Sequence, residues 1–270
     1  MSLAAFDVSD WGFFRFMGAD AKDFLQGLVT ADLKKLGPGV CLPACVLTPK
    51  GLLLADCELY EETPGVVLAV TRPAAAVNFL KAFDRKIMLS NSELKVLRAQ
   101  SAWLVIGRSY SAGLPWPRLL EPTRLVLAAD PPEEAELLGA AEFETIRVAS
   151  GFPLYGTDMD ADTLPLEARQ EAAISLDKGC YMGQETVARL VYRGHANRRL
   201  AGLKFAGHAP AAGAAVLRDG VEVGALTSSA GEHALAMVKL DASVPGLTLS
   251  AGGKDAVTVE FPSWPAALKR

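Results

Sequence analysis

Residues 177–185, DKGCYMGQE, set a cysteine two places after a lysine and between glycines at 179 and 183. The chemistry this spacing offers is that of a thiolate. A neighbouring cation and a helix N-terminus each lower the pKa of a thiol. Lys178 supplies the cation, because side chains two residues apart in an extended segment share a face. The run GQETVARLVYR, 183–193, predicts a helix whose first N–H groups point back toward Cys180. Gly179 and Gly183 allow a sharp turn or the close approach of a ligand. Tyr181 adds an amphipathic ring, and Gln184 and Glu185 put hydrogen-bonding groups in the first helical turn. The plainer alternative is a cysteine that packs in the core, as cysteines most often do, beside a solvated lysine.

Charge gives a second signal. Between Asp177 and Lys204 the cations are Lys178, Arg189, Arg193, Arg198, Arg199 and Lys204, opposed by Asp177 and Glu185 alone, in a chain whose net charge is −4. That excess suits an anionic small ligand or an ordinary solvated face. His195 lies in the same stretch; the other histidines are at 208 and 233. The acidic balance of the whole chain, with a pI of about 5.5, argues against broad nucleic-acid binding, which needs a basic face.

The opening residues MSLAAFDVSDWGFFRF have no basic segment leading into an apolar run, so no signal peptide is expected. Apolar runs stop well short of the ~18 residues of a membrane span. A cytoplasmic setting follows, with free thiols at Cys41, Cys45, Cys57 and Cys180.

The elements that must position this segment read as a mixed α+β chain. A helix is predicted over 19–30, with Phe24, Leu25, Leu28 and Val29 on one face and Asp20 as its cap. Apolar runs on either side of Thr48-Pro49-Lys50-Gly51 predict a hairpin. Strands follow at 65–70, 93–99, 102–107 and 124–129. A helix over 72–87 buries Val77, Leu80, Phe83 and Ile87, and another helix spans 130–151. From about residue 198 onward, short alternating runs separated by glycines mark a small antiparallel barrel or sandwich.

KGCYMGQE, 178–185, resembles the signature of the YgfZ family of folate-binding proteins, relatives of the glycine-cleavage T-protein (GcvT, aminomethyltransferase). Four further segments resemble that family in order. They are GADAKDFLQGLVTADL (18–33), LTPKGLLLAD (47–56), RVASGFPLYGTDMDADTLPLE (147–167) and VGALTSS (223–229).

The resemblance implies a three-lobed ring. Residues 1–42 with 136–197 would form a discontinuous first lobe, and 43–135 an inserted α+β, ferredoxin-like lobe. Residues 198–270 would form a C-terminal antiparallel β-barrel. It implies tetrahydrofolate or a one-carbon derivative in the central channel, and a role in assembling or maintaining iron–sulfur clusters, including those of tRNA-modifying radical enzymes. The partners would be iron–sulfur assembly or client proteins, with no direct nucleic-acid or membrane binding. In that reading Cys180 is the reactive residue and Lys178 keeps it ionised. Gly179, Tyr181, Gly183, Gln184, Glu185, Arg193 and Gln26 contact the cofactor, and Asp158 and Glu167 are ligand-facing or cap helices.

The thiolate would hold iron or persulfide, or attack a folate one-carbon unit. One departure bears on turnover. The T-protein carries a catalytic aspartate shortly after a strand of its second lobe, and the comparable run VVLAVTRPAAAVNF, 66–79, has no acidic residue. The glycine-cleavage reaction is therefore not expected.

Three rivals remain: an active folate-dependent aminomethyl or one-carbon transferase, a metal-binding assembly factor that needs no folate, and a cysteine hydrolase pairing Cys180 with His195. The C-x3-C then x11-C spacing of Cys41, Cys45 and Cys57 is not a zinc pattern, and KGCYMG lacks the papain-type motif.

Overall fold

Phe13, Phe14 and Phe16 sit in an extended run whose two faces are both covered. The computed structural model describes residues 2–98 and 100–260. In it, strand Gly12–Met17 belongs to an antiparallel sheet in the order Leu42–Leu47, Leu53–Thr63, Val66–Thr71, Gly12–Met17, Glu93–Val96. One face packs on helices α1 (Ala21–Gln26) and α2 (Pro73–Phe83). There Phe14 lies 4.8 Å from Phe79 between ring centroids, and Phe16 lies 5.1 Å from Phe83. The other face, with Phe13, Tyr60, Leu68 and Val70, packs on Leu104, Ile106 and Leu125 of a second sheet. Double coverage explains why Val66–Thr71 reads as an unbroken apolar run rather than an alternating one.

The second sheet runs Glu136–Leu137, Ala4–Asp7, Trp103–Ile106, Thr123–Val126, Leu114–Pro115. Its first pair is parallel and the others are antiparallel. Helix α3 (Ala140–Ala149) leaves this sheet and packs on the C-terminal barrel, and α4 (Gln184–Arg193) precedes that barrel. The barrel closes in the order Arg198–Phe205, His233–Lys239, Val221–Ala230, Ala215–Arg218, Thr248–Ala251, Lys254–Val259. Among the described residues no helix is long and apolar enough to cross a membrane.

Several elements differ from expectation. Helix α1 stops at Gln26, because Val29 leaves the helix to bridge Val46. Asp20 stands at its N-cap, but its carboxylate makes no capping bond and accepts from the Asn91 amide and the Ser92 hydroxyl instead. The buried stripe of α2 is Ala75, Phe79 and Phe83, and Val77 is 60% exposed. The two phenylalanines four residues apart claim the sheet and turn Val77 outward. Helix α3 begins only at Ala140, after Pro131 and Pro132, and the Gly139 amide there donates to Glu142.

Strand pairing joins segments far apart in the chain. The stretch 43–135 is divided between both sheets, and Gly12–Met17 pairs with Val66–Thr71 because Phe14 and Phe16 complete the α2 core. Residue 99, at the end of the expected strand 93–99, and residues 261–270 of the expected barrel segment lie outside the described residues.

Candidate functional site

The cysteine segment is held from both ends. At its start Lys178 is buried, and its ammonium donates to the carbonyls of Val29 (2.8 Å) and Ala31 (2.6 Å), just after α1. Burial pushes its pKa down to about 8, against the pull of the Asp32 carboxylate. At the other end Gly183 caps α4 with φ +82°, pressed against the hairpin that Thr48 to Gly51 turns. Between these anchors Tyr181 is buried with its ring 5.2 Å below the Lys178 ammonium. Burial holds the Tyr181 phenol up at about 12, and its hydroxyl has no hydrogen-bond partner among the described residues. Gly179 and Cys180 face outward, and nothing lies within 4 Å of a Cβ built on Gly179.

Lys178 and Cys180 thus have opposite exposure. The ammonium is committed to two backbone carbonyls beneath the loop, and the thiol stands in solvent.

The other thiols differ. Cys45 and Cys57 are buried in the first sheet, where burial raises both pKa values. Cys41 is half-buried against the Tyr60 hydroxyl, and burial raises it to about 12. No group of three or more His, Cys, Asp or Glu among the described residues is placed to hold a metal ion.

The remaining expected site residues are dispersed. Gln26 is spent within its own loop, donating to Asp32 (2.9 Å) and accepting from the Leu33 amide (2.7 Å). Gln184 accepts from the Tyr181 amide at 3.4 Å, and Glu185 is exposed in the first turn of α4. Arg193 lines a cavity of about 770 Å³ with Lys35, Asp177, Tyr192 and His195.

A second cavity, of about 790 Å³, opens where the second sheet, α2 and α3 meet. Sequence reasoning did not find it. Its walls include Trp11, Tyr155 and the Phe6–Phe143 pair, which stacks at 3.9 Å. Arg72, 1% exposed, also lines it. The Arg72 guanidinium binds Asp56 (2.5 Å) and Glu58, sits 5.1 Å from both the Trp11 and Phe152 rings, and leaves Nε without an acceptor. Burial acts to raise the Glu58 pKa, but Arg72 and Arg118 hold it down to about 2. The sequence signal was there: two acids, Asp56 and Glu58, inside the apolar strand LLADCELY.

Residues 197–267 match the family described as CAF17, C-terminal beta-barrel domain. The tRNA-modifying protein YgfZ of Edwardsiella ictaluri is 28% identical over 74% of this chain and 70% of its own length. An aminomethyltransferase of Chlorobium luteolum is 28% identical over 76% of this chain and 68% of its own. The crystal structure of glycine cleavage system aminomethyltransferase T from Bartonella henselae superposes with a TM-score of 0.79 at 17% identity. It covers 98% of this chain and 86% of that one. The chain thus has the fold of that aminomethyltransferase and is similar in sequence both to YgfZ proteins and to aminomethyltransferases.

The segments that carry the YgfZ resemblance meet in space as scaffolding. Arg147 on α3 is fully buried and binds Asp158 (2.8 Å), Glu144 (2.5 Å), the Phe152 carbonyl (2.5 Å) and the Ser228 hydroxyl (2.6 Å). Asp158 also accepts from the Leu154 amide and from the hydroxyls of Thr227 and Ser228. Asp158 therefore clamps the barrel to α3 through Thr227 and Ser228 of strand Val221–Ala230. Glu167 accepts from the Leu164 amide and pairs with Arg198 at 3.1 Å. Thr30 accepts from the Cys45 amide, and its own carbonyl receives the Ser175 amide. Each of these motif residues fixes the frame around the two cavities and the cysteine loop.

Proposed function

We propose that this chain is a tetrahydrofolate-binding protein that serves iron–sulfur cluster assembly or maintenance, with Cys180 as its reacting group. The observation that carries the reading is the exposure of the Cys180 thiol on a loop tethered at Lys178 and Gly183. The 790 Å³ cavity supports the folate part, because aromatic walls and a few polar groups are what a flat heterocycle needs. Lys178 acts as the positioning residue of the loop. The absence of an acidic side chain at the start of α2, where that helix lines the cavity, speaks against glycine-cleavage turnover.

In this reading the clients include radical enzymes that modify tRNA, and the protein works in the cytoplasm. The test is genetic. In a host lacking the protein, the tRNA modifications made by iron–sulfur radical enzymes fall. Wild type restores them, and Cys180→Ala, present at equal abundance, does not. Full rescue by Cys180→Ala would remove the thiol from the function.

A further inference from the structure

The 770 Å³ cavity shares no lining residue with the 790 Å³ one, and the folate reading leaves it unused. Lys35, Asp177, Arg193 and His195 stand in its walls. Among the described residues none of the four makes an ion pair or a side-chain hydrogen bond. Cations a few residues further on do: Arg198 binds Glu167, and Arg199 binds Glu171. The walls are nonetheless fixed. The Ser175 amide donates to the Thr30 carbonyl at 2.9 Å, and the Leu33 amide donates to Gln26 at 2.7 Å. The segments that carry Asp177 and Lys35 are thereby tied to each other and to α1.

The open groups are of two kinds. Lys35 and Arg193 are cations brought together from separate elements, and the His195 imidazole adds a third donor. Asp177 is an acceptor. So is the carbonyl end of α4, which finishes at Arg193 and carries partial negative charge. A simple anion would satisfy the first kind alone, and a simple cation the second alone. A ligand that joins an anionic group to N–H donors satisfies both. Its body must suit apolar and aromatic walls, because Leu176 and Val191 also line the cavity. Tyr192, 68% exposed there, offers a stacking face to a flat base.

We infer that the 770 Å³ cavity is a nucleotide site, which takes a nucleoside monophosphate whose base bears an exocyclic amino group. Lys35 and Arg193 hold the phosphate, with His195 as a further donor. Tyr192 stacks on the base, and Asp177 accepts from the amino group. A phosphate monoester carries about two negative charges near neutral pH, which the two cations match by charge-assisted hydrogen bonds. The cavity lies within the range of small-molecule sites, about 300–1,000 Å³. The inference does not rest on the folate reading, since the two cavities are separate.

Calorimetric titration of the full chain with adenosine 5′-monophosphate, inosine 5′-monophosphate, adenosine and inorganic phosphate tests it. The variants are Lys35→Ala, Asp177→Ala, Tyr192→Ala and Arg193→Ala. Arg189→Ala, which removes a cation of α4 outside the cavity, is the control. All five residues are exposed, so the variants should fold, and matching melting curves verify it. Wild type should bind adenosine 5′-monophosphate at least tenfold more tightly than adenosine or phosphate. Lys35→Ala and Arg193→Ala should each weaken it at least tenfold and lose the preference over adenosine. Tyr192→Ala should weaken the nucleotide and adenosine together. Wild type should also favour it over the inosine compound, which has an oxo group in place of the amino group, and Asp177→Ala should lose that preference. Arg189→Ala should match wild type, and saturating 5-formyltetrahydrofolate should leave the affinity unchanged. No binding of the nucleotide to wild type would overturn the inference. So would binding that Lys35→Ala and Arg193→Ala leave intact, or that Arg189→Ala weakens equally. Displacement by the folate would place the nucleotide in the other cavity and overturn the separate site.

Discussion

Gly183 packs against Gly51: a methyl group built on Gly183 would fall 3.0 Å from the Gly51 Cα and 2.7 Å from the Thr48 carbonyl oxygen. Both glycines have φ near +82°. The contact joins the hairpin turn of the first sheet to the first residue of α4, and so sets the height of the cysteine loop. Left-handed backbone costs a non-glycine residue about 1–2 kcal/mol before any clash is counted. Gly183→Ala should therefore destabilise the protein by at least about 2 kcal/mol, adding that strain to the collision with backbone. Gly179→Ala, which meets open space, should stay within about 0.5 kcal/mol of wild type. Urea denaturation of the two variants side by side checks the contrast.

The Arg147–Asp158 pair should behave as a clamp. Removing one partner of a buried ion pair strands the other, at a cost of about 3–5 kcal/mol. Asp158→Ala should lie in that range, because it also frees the Thr227 and Ser228 hydroxyls and the Leu154 amide. Thr227→Val removes one neutral donor and should cost about 1 kcal/mol. Limited proteolysis should show new cleavage between α3 and the barrel in Asp158→Ala alone.

Lys178 gives the protein a pH dependence of definite sign. Its folded pKa of about 8 lies below that of an unfolded lysine, about 10.4. Between those values the unfolded chain holds more protons, so stability rises as pH climbs through that window. Below about pH 8 the full cost of the buried ammonium is present. One such group sets a slope of up to about 1.4 kcal/mol per pH unit. Denaturation from pH 7.5 to 10.5 should show wild type gaining on Lys178→Met with increasing pH. Parallel curves for the two would place the titration elsewhere.

Thiol reactivity separates the four cysteines. Brief treatment of the native protein with iodoacetamide should alkylate Cys180, the exposed thiol. Cys45 and Cys57, both fully buried with raised pKa values, should react only after unfolding. Peptide mass spectrometry reads the sites directly. Labelling of Cys57 at the rate of Cys180 in the native state would contradict the packing of the first sheet.

The barrel was legible because its strands alternate and are separated by glycines, a local pattern. Helix α4 was legible from its periodicity, and the 48–51 turn from its Pro-Lys-Gly. The stripe on α2 was misread because Val77 and Phe79 both fit helical spacing, and only the sheet beneath shows which face the phenylalanines of Gly12–Met17 require. Pairing Lys178 with Cys180 assumed an extended segment. The carbonyls that claim the ammonium belong to residues 29 and 31, about 150 positions away in the chain. The cavity beside Trp11 and Arg72 was invisible for the same reason, since it is assembled from four separate stretches of sequence.

The central claim is that this fold binds a folate and keeps Cys180 for the chemistry that follows. Calorimetric titration of tetrahydrofolate into wild type and Cys180→Ala tests it most directly. The account predicts binding to both, with dissociation constants within about threefold, since Cys180 does not line the 790 Å³ cavity and a surface truncation perturbs stability by no more than about 0.5 kcal/mol. Absence of binding to both would contradict it.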